Sequence, residues 1–209
     1  MQREIEKILI YACADIHGVR ERLRFIGELV EKEKPHCLVV AGDILSHPGD
    51  SLTVAALDEL EVETFVVPGN MDSPNLKDQV AHSRNLYWIV GRGERFAMIH
   101  FYGVDEKMNL SLKELPKLMG QSPLVLISHR PPWGIQDRDF FGRHAGSKEI
   151  AALLKNWKPK LLICGHIHED PGYSKIDDVH VINCSMGGAG RGYLIEFEDG
   201  HLTGAKMVR

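Results

Sequence analysis

No apolar stretch in the 209-residue chain approaches the ~20 residues of a membrane-spanning helix. Basic residues are not in excess either. Against 29 Asp and Glu stand 25 Lys and Arg, a formal net charge of -4. That balance argues against a basic groove for nucleic acid as the main binding device, so no stable nucleic-acid complex is expected. A small phosphate-bearing ligand stays open, because bound divalent cations would add positive charge outside this count. Cysteine is scarce: Cys13, Cys37, Cys164 and Cys184 are far apart and form no C-x-x-C pair. Each sits in or beside an apolar run, which reads as a reduced, buried thiol of a cytosolic protein. There is no internal repeat, low-complexity tract or dividing linker, so one domain over residues 1–209 is expected.

The N-terminal run "ILIYACA", Ile8 to Ala14, ends in a small-x-small pattern like a leader-peptide cleavage site. It is short for that purpose, and Glu4 and Glu6 precede it. It reads instead as a first buried strand, and the protein as cytoplasmic with no membrane contact.

What is present is a series of short Val-, Ile- and Leu-rich runs. They are Ile8–Ala14, Cys37–Ala41, Thr64–Val67, Tyr87–Val90, Phe96–Tyr102, Leu124–Ser128, Lys160–Cys164, Val179–Asn183, Tyr193–Phe197 and His201–Val208. Such runs suit strands covered on both faces. Helical periodicity marks Val19–Lys34, where Val19, Leu23, Ile26 and Val30 share a face, and more weakly Ser51–Leu60, Asn75–Ser83, Leu110–Met119 and Ser147–Trp157. Ser147 before Ile150, Leu153 and Leu154 reads as a capped start. The β-α-β-α-β opening and the strand-rich remainder predict an α/β fold, a four-layer αββα sandwich with two stacked mixed β-sheets.

Polar residues then fall in one place relative to the strands. Asp15 and His17 follow the first run, Asp43 the second, Asn70 and Asp72 the third, His129 the run ending at Ser128, and His166 and His168 the run ending at Cys164. In open α/β sheets, ligands bind beyond the carboxyl ends of strands, so these donors converge there. A mixture of carboxylate, imidazole and amide oxygen suits Mn, Fe, Zn, Co or Ni, and fits a dinuclear site bridged by one carboxylate, with Asp43 the natural bridge. Gly42, Gly69 and Gly165 precede donors and allow close backbone approach.

The ordered motifs D-I-H, G-D, G-N-M-D, S-H and G-H-I-H, from Asp15 to His168, resemble the calcineurin-like metallophosphoesterases. "SHRPPWG" followed by "HAGS" is similar to the branch related to cyclic-nucleotide phosphodiesterases. The resemblance implies two divalent metal ions, manganese first among them. Asp15, His17, Asp43 and His168 would hold one, and Asp43, Asn70, His129 and His166 the other. It implies a metal-bridging hydroxide for in-line attack on the phosphorus of a small, nucleotide-like phosphate ester.

The chain departs from the family at Met71, where the phosphomonoesterases carry a histidine that protonates the leaving group. Asp72 would match the acid that orients that histidine. The expected activity is therefore a phosphodiesterase. A phosphomonoesterase or nucleotidase is the alternative, and a non-catalytic metal-binding scaffold a more distant one. Asp43, Asn70, His129, Asp72 and His144 are the catalytic candidates, with Arg130, Arg143 and His144 for substrate. His144 lies with Arg138 and Arg143 in the long segment Arg130–Gly146, where contact with a phosphate and a solvated loop face are both open readings. Met71 also reads as packing beneath the site, Trp133 as a ring wall or loop filler, and His47 as a turn residue before Pro48. Nothing in the sequence fixes the oligomeric state; a homo-oligomer is compatible with it.

Overall fold

The computed structural model describes residues 7–105 and 122–209, so the helix expected over Leu110–Met119 lies outside the described residues. In chain order the elements are β1 (Lys7–Cys13), α1 (Arg20–Glu33), β2 (Cys37–Ala41), α2 (Leu52–Asp58), β3 (Thr64–Val67), α3 (Asn75–Ala81), β4 (Leu86–Trp88), β5 (Gly93–Phe96) and β6 (Ile99–Val104). There follow β7 (Leu124–Ser128), α4 (Lys148–Trp157), β8 (Leu161–Cys164), β9 (Gly172–Ile176), β10 (Val179–Asn183), β11 (Tyr193–Glu198) and β12 (His201–Met207). They build two six-stranded sheets, β12-β11-β1-β2-β3-β4 and β5-β6-β7-β8-β10-β9. Both are mixed. In the first, β1 to β4 run parallel and β11 and β12 join antiparallel. In the second, β6, β7, β8 and β10 are parallel between antiparallel edges β5 and β9.

Strand alternation explains the layers. Ile8, Ile10 and Ala12 of β1, with Val39, Val67, Phe101, Val125, Ile163 and Ile195, fill one apolar cluster between the sheets. The intervening Tyr11, Cys13, Leu38, Val40 and Val66 face the other way, against Ile26 and Leu29 of α1, Leu57 of α2 and Leu76 of α3. Leu126, Leu162 and Val181 of the second sheet pack against Ile150, Leu153 and Trp157 of α4. Each central strand is thus buried on both faces, which is why its sequence is apolar throughout rather than alternating. All four cysteines carry free, buried thiols within these layers.

The helices stop where the sequence says they should. Lys34 and Lys158 take left-handed backbone, with φ of 50° and 45°, and bond back to Val30 and Leu154. Pro35 and Pro159 follow them and cannot extend a helix. Ser147 Oγ accepts the Ile150 N–H at 3.2 Å, as its position predicts.

Two expectations change. The run Phe96–Tyr102 is not one strand: Ala97, at φ 50°, turns the chain and pairs Phe96 with Ile99. Apolar residues on both sides of a tight turn read in sequence as one run. The edge strand β9, "GYSKI", was not expected, because an edge strand needs no apolar face and its polar residues stay mostly exposed.

Behind the β2–α2 connection lies Asp50, buried, whose carboxylate accepts the Ser46, Leu52 and Thr53 N–H groups and the Ser46 and Thr53 hydroxyls at 2.6–3.1 Å. Burial alone would raise its pKa; these donors outweigh burial and hold it well below the carboxylate range. A carboxylate with a depressed folded-state pKa stabilises above its unfolded pKa, and that contribution is lost as pH falls through the folded value. Asp50→Ala is expected to cost about 2 kcal/mol at neutral pH, from lost capping and stranded donors. The gap in melting temperature between wild type and variant should narrow below about pH 4. A gap of constant size down to acid unfolding would contradict this account.

Candidate metal centre

The seven candidate ligands leave the carboxyl ends of β1, β2, β3, β7 and β8, where the two sheets meet. Four of them have left-handed backbone: Asp15 at φ 60°, His17 at 51°, Asp43 at 51° and His166 at 72°. For L-residues that conformation costs about 1–2 kcal/mol each, so it persists only where the surroundings hold it. The β1 and β2 loops hold each other: Asp15, His17 and Gly18 N–H groups donate to the Gly42, Asp43 and Ile44 carbonyls, each at 2.9 Å. The His166 N–H donates to Asp15 Oδ2 at 3.0 Å, which ties β8 to β1 across the seam.

The donors form two groups, Asp15 with His17 and His168, and Asp43 with His129 and His166; within each, the ligating atoms lie within 4.8 Å of one another. Asp43 faces both. Its Oδ2 is 3.4 Å from His129 Nε2 and 3.9 Å from His17 Nε2, while its Oδ1 accepts the Met71 N–H at 2.8 Å. In the other group Asp15 Oδ1 lies 3.4 Å from His168 Nε2. His129 Nδ1 sits 2.9 Å from the Ala41 carbonyl, which can only accept, so Nδ1 carries the proton and Nε2 presents its lone pair. That Nε2 is met by Asn70 Oδ1 at 3.1 Å and His166 Nδ1 at 3.2 Å. Lone pairs from an amide, a carboxylate and two imidazoles therefore point at one another. Such a cluster is stabilised by a cation at its centre, and its oxygen and nitrogen donors fit a divalent metal.

Ionisation of Asp15, Asp43 and His166 agrees with this, while at His129 a proton competes with a cation for Nε2. Burial pushes the Asp43 and Asp15 carboxyls up, but hydrogen bonding and charge from His129 and His168 outweigh it and hold both below the usual range. Burial and the neighbouring His129 push His166 down to about 4, leaving a neutral imidazole. Burial would lower His129 as well; the Asp43 and Asp15 carboxylates reverse the sign and raise it.

Other expected residues sit elsewhere. Asp72 does not reach toward position 71. Its Oδ1 accepts the Ile44 and Leu45 N–H groups at 2.9 Å and its Oδ2 the Gly69 N–H at 2.8 Å, so it ties the Asn70 loop to the Asp43 loop. Met71 does not pack beneath the site; its side chain is 63% exposed. His144 Nδ1 lies 2.6 Å from Asp137, and its ring tilts against Trp133 at 5.5 Å. Arg143 binds Asp139 and Arg138 the Gly142 carbonyl, within the same loop. Within this segment His144 Nδ1 and the Arg143 guanidinium therefore each have a partner in their own loop. Trp133 lines a separate cavity of about 560 Å³ with Lys148 and Lys155. Arg130 stays beside the centre, and its charge contributes to lowering His166. His47 accepts the Gly49 N–H inside its own turn.

Several supporting residues carry no signal in the ligand motifs. Asn183 donates to the Ile167 and Asp170 carbonyls at 2.8 and 3.1 Å and accepts the Ser185 N–H at 3.1 Å, bracing the His166–His168 loop. A Cβ on Gly187 would collide with the His168 ring, and one on Gly42, at φ 89°, would sit 2.5 Å from His129 Nδ1. Gly42 was visible from its motif. The only sequence sign for Gly187 is its place in the small-residue run "SMGGAG" after a strand.

Comparison with known proteins accords with this arrangement. An uncharacterized protein of Methanocaldococcus jannaschii is 28% identical over 87% of this chain and 89% of its own length. Among solved structures, a dimetal phosphatase from Danio rerio superposes with a TM-score of 0.62 at 12% identity, over 96% of this chain and 98% of that one. An archaeal phosphodiesterase superposes with a TM-score of 0.56 at 13% identity, over 96% of this chain and all of that one. At such identities the structures share the fold. The sequence profile of the calcineurin-like phosphoesterases matches residues 8–170, most of the chain, which therefore belongs to that family.

Proposed function

We propose that this metal-dependent phosphoesterase is a phosphodiesterase with two divalent cations, one held by Asp15, His17, Asp43 and His168, the other by Asp43, Asn70, His129 and His166. The observation that carries the dinuclear reading is Asp43 Oδ2, which faces His17 on one side and His129 on the other. Bound there, the cations would supply positive charge for the phosphoryl oxygens and a nucleophilic water at neutral pH.

The protein's part is positional. His129 is locked by the Ala41 carbonyl, Asp43 is steadied by the Met71 N–H, and Asp72 fixes the loop that presents Asn70. Manganese is the first metal to load, and one cytoplasmic domain over residues 1–209 is the working form. His144 and Arg143, being engaged in their own loop, drop behind Arg130 as substrate contacts.

The preference for diesters rests on position 71. A monoester dianion is a poor substrate unless its leaving oxygen receives a proton, and an exposed thioether has none to give. A diester monoanion with a good leaving group has less need of that proton.

Three measurements test this. Metal-stripped protein reloaded with manganese should cleave a bis-aryl phosphodiester faster than the matching aryl monoester, and neither without metal. A faster monoester reaction would favour the phosphatase alternative. Asp43→Ala should lower metal affinity and turnover by more than about 100-fold, because both cations lose a ligand. Full activity of that variant at verified zero metal would end the proposal. Met71→His should raise monoester turnover about 10-fold, short of the full effect of a general acid, since Asp72 is committed to backbone N–H groups and cannot orient the new imidazole.

A further inference from the structure

Beside the proposed second cation site the surface opens into a cleft of about 270 Å³, whose lining includes Asn70, His129, Lys77, Trp88, Val104 and Asp105. Its position follows from strand register. Trp88 pairs with Val66 in parallel β3 and β4, one residue short of the end of the strand whose following loop presents Asn70. The Trp88 ring is half-buried, packed on one side against the apolar layer under the helices, and it borders the cleft. A neighbouring cleft of about 360 Å³ also includes Lys77 and Trp88 and adds Arg84 and Arg92. The two clefts therefore adjoin across these two side chains, and the path away from Asn70 and His129 runs past an indole toward cationic groups.

That combination is chemically selective. An indole on an edge strand is rigid and offers a wide apolar face, the usual partner of a flat ring. A mostly apolar wall with a few polar groups is how a small-molecule site fixes orientation, and this volume is at the small end for such sites. A cation beyond the ring suits a negative group carried by the ligand. We infer that the organic group of the phosphate ester is a planar aromatic ring held against Trp88, and that Lys77 meets a second negative group borne by that ring. The inference rests on the phosphoesterase reading of the adjoining ligand groups. Trp88 and Lys77 are then specificity residues: they select which ester is bound and take no part in bond cleavage.

Three phosphonates that cannot be hydrolysed separate the contributions: methylphosphonate, phenylphosphonate and 4-carboxyphenylphosphonate. Each is titrated calorimetrically into manganese-loaded protein. Phenylphosphonate should bind about 10-fold more tightly than methylphosphonate, the scale of one aromatic stacking contact. The carboxylated ring should gain again. Trp88→Ala and the bulkier Trp88→Leu, which keeps the apolar packing, should both erase the gain of the ring and leave methylphosphonate affinity as in wild type. Lys77→Met should erase only the gain from the carboxylate. Equal affinity for all three ligands, or an equal loss for all three in the Trp88 variants, overturns the inference while leaving the metal centre standing. No binding of any phosphonate to protein verified to hold manganese overturns the phosphoesterase reading and the subsite together.

Discussion

A carboxylate buried at the seam between two sheets sets the terms for this molecule. Asp43 is 3% exposed, and an isolated charge there would be expensive. Burial is tolerated because one oxygen takes the Met71 N–H and the other faces two imidazoles. Those contacts require Asp43 to turn at φ 51° directly after Gly42, and require the Asn70 loop to lie almost in contact with it. The rest of the arrangement serves that requirement. Asp72 and Asp50, two further carboxylates, use their oxygens on backbone N–H groups to fix the loop between β2 and α2 from opposite sides. Three acids around one loop thus have three environments, and of the three only Asp43 presents an oxygen to the candidate ligand groups.

The clustering of the candidate ligands at strand ends was legible in the sequence because the strands are buried on both faces. An apolar run that stops abruptly at a Gly-Asp or Gly-His marks both the end of a strand and the first polar donor beyond it, as at Val40–Asp43 and Cys164–His166. Order along the chain then sufficed, since the carboxyl ends of parallel strands meet on one edge. Residues that act by bracing were not legible. Asn183 and Ser185 follow an apolar run as the ligands do, but nothing in their residue type separates a loop brace from an ordinary strand end. The turn at Ala97 was hidden for the converse reason: a non-glycine residue with positive φ leaves no mark in composition.

The segment from Arg130 to Gly146 shows how a charged loop can be held together from within. Its arginines, histidine and aromatics have the composition of a substrate-binding loop. Asp137, 1% exposed, instead gathers the Gly134 and Gly146 N–H groups and the His144 ring, and Asp139 takes Arg143. His144 and Arg143 each have an acid partner a few residues away, and the Arg138 guanidinium binds the Gly142 carbonyl. Local pairing of that kind can be read from spacing, since Asp137 and His144 are seven residues apart and Asp139 and Arg143 four. Trp88 and Lys77, which line the cleft that includes Asn70 and His129, lie on an edge strand and a short helix without any motif.

Position 71 concentrates the chemical choice. Its backbone is essential, because its N–H holds Asp43, while its side chain is free to vary, because it stands in solvent. A change of residue there can remove a proton donor without disturbing the geometry of the seven ligands. On the proposed reading, reaction class and metal binding are separable: the candidate ligands are held by strand ends and buried hydrogen bonds, whereas the residue proposed to govern the leaving oxygen is one exposed side chain. With methionine in that place, the burden of stabilising the departing group passes to the ester itself. On that reading, selectivity comes from which esters the neighbouring cleft admits rather than from acid catalysis.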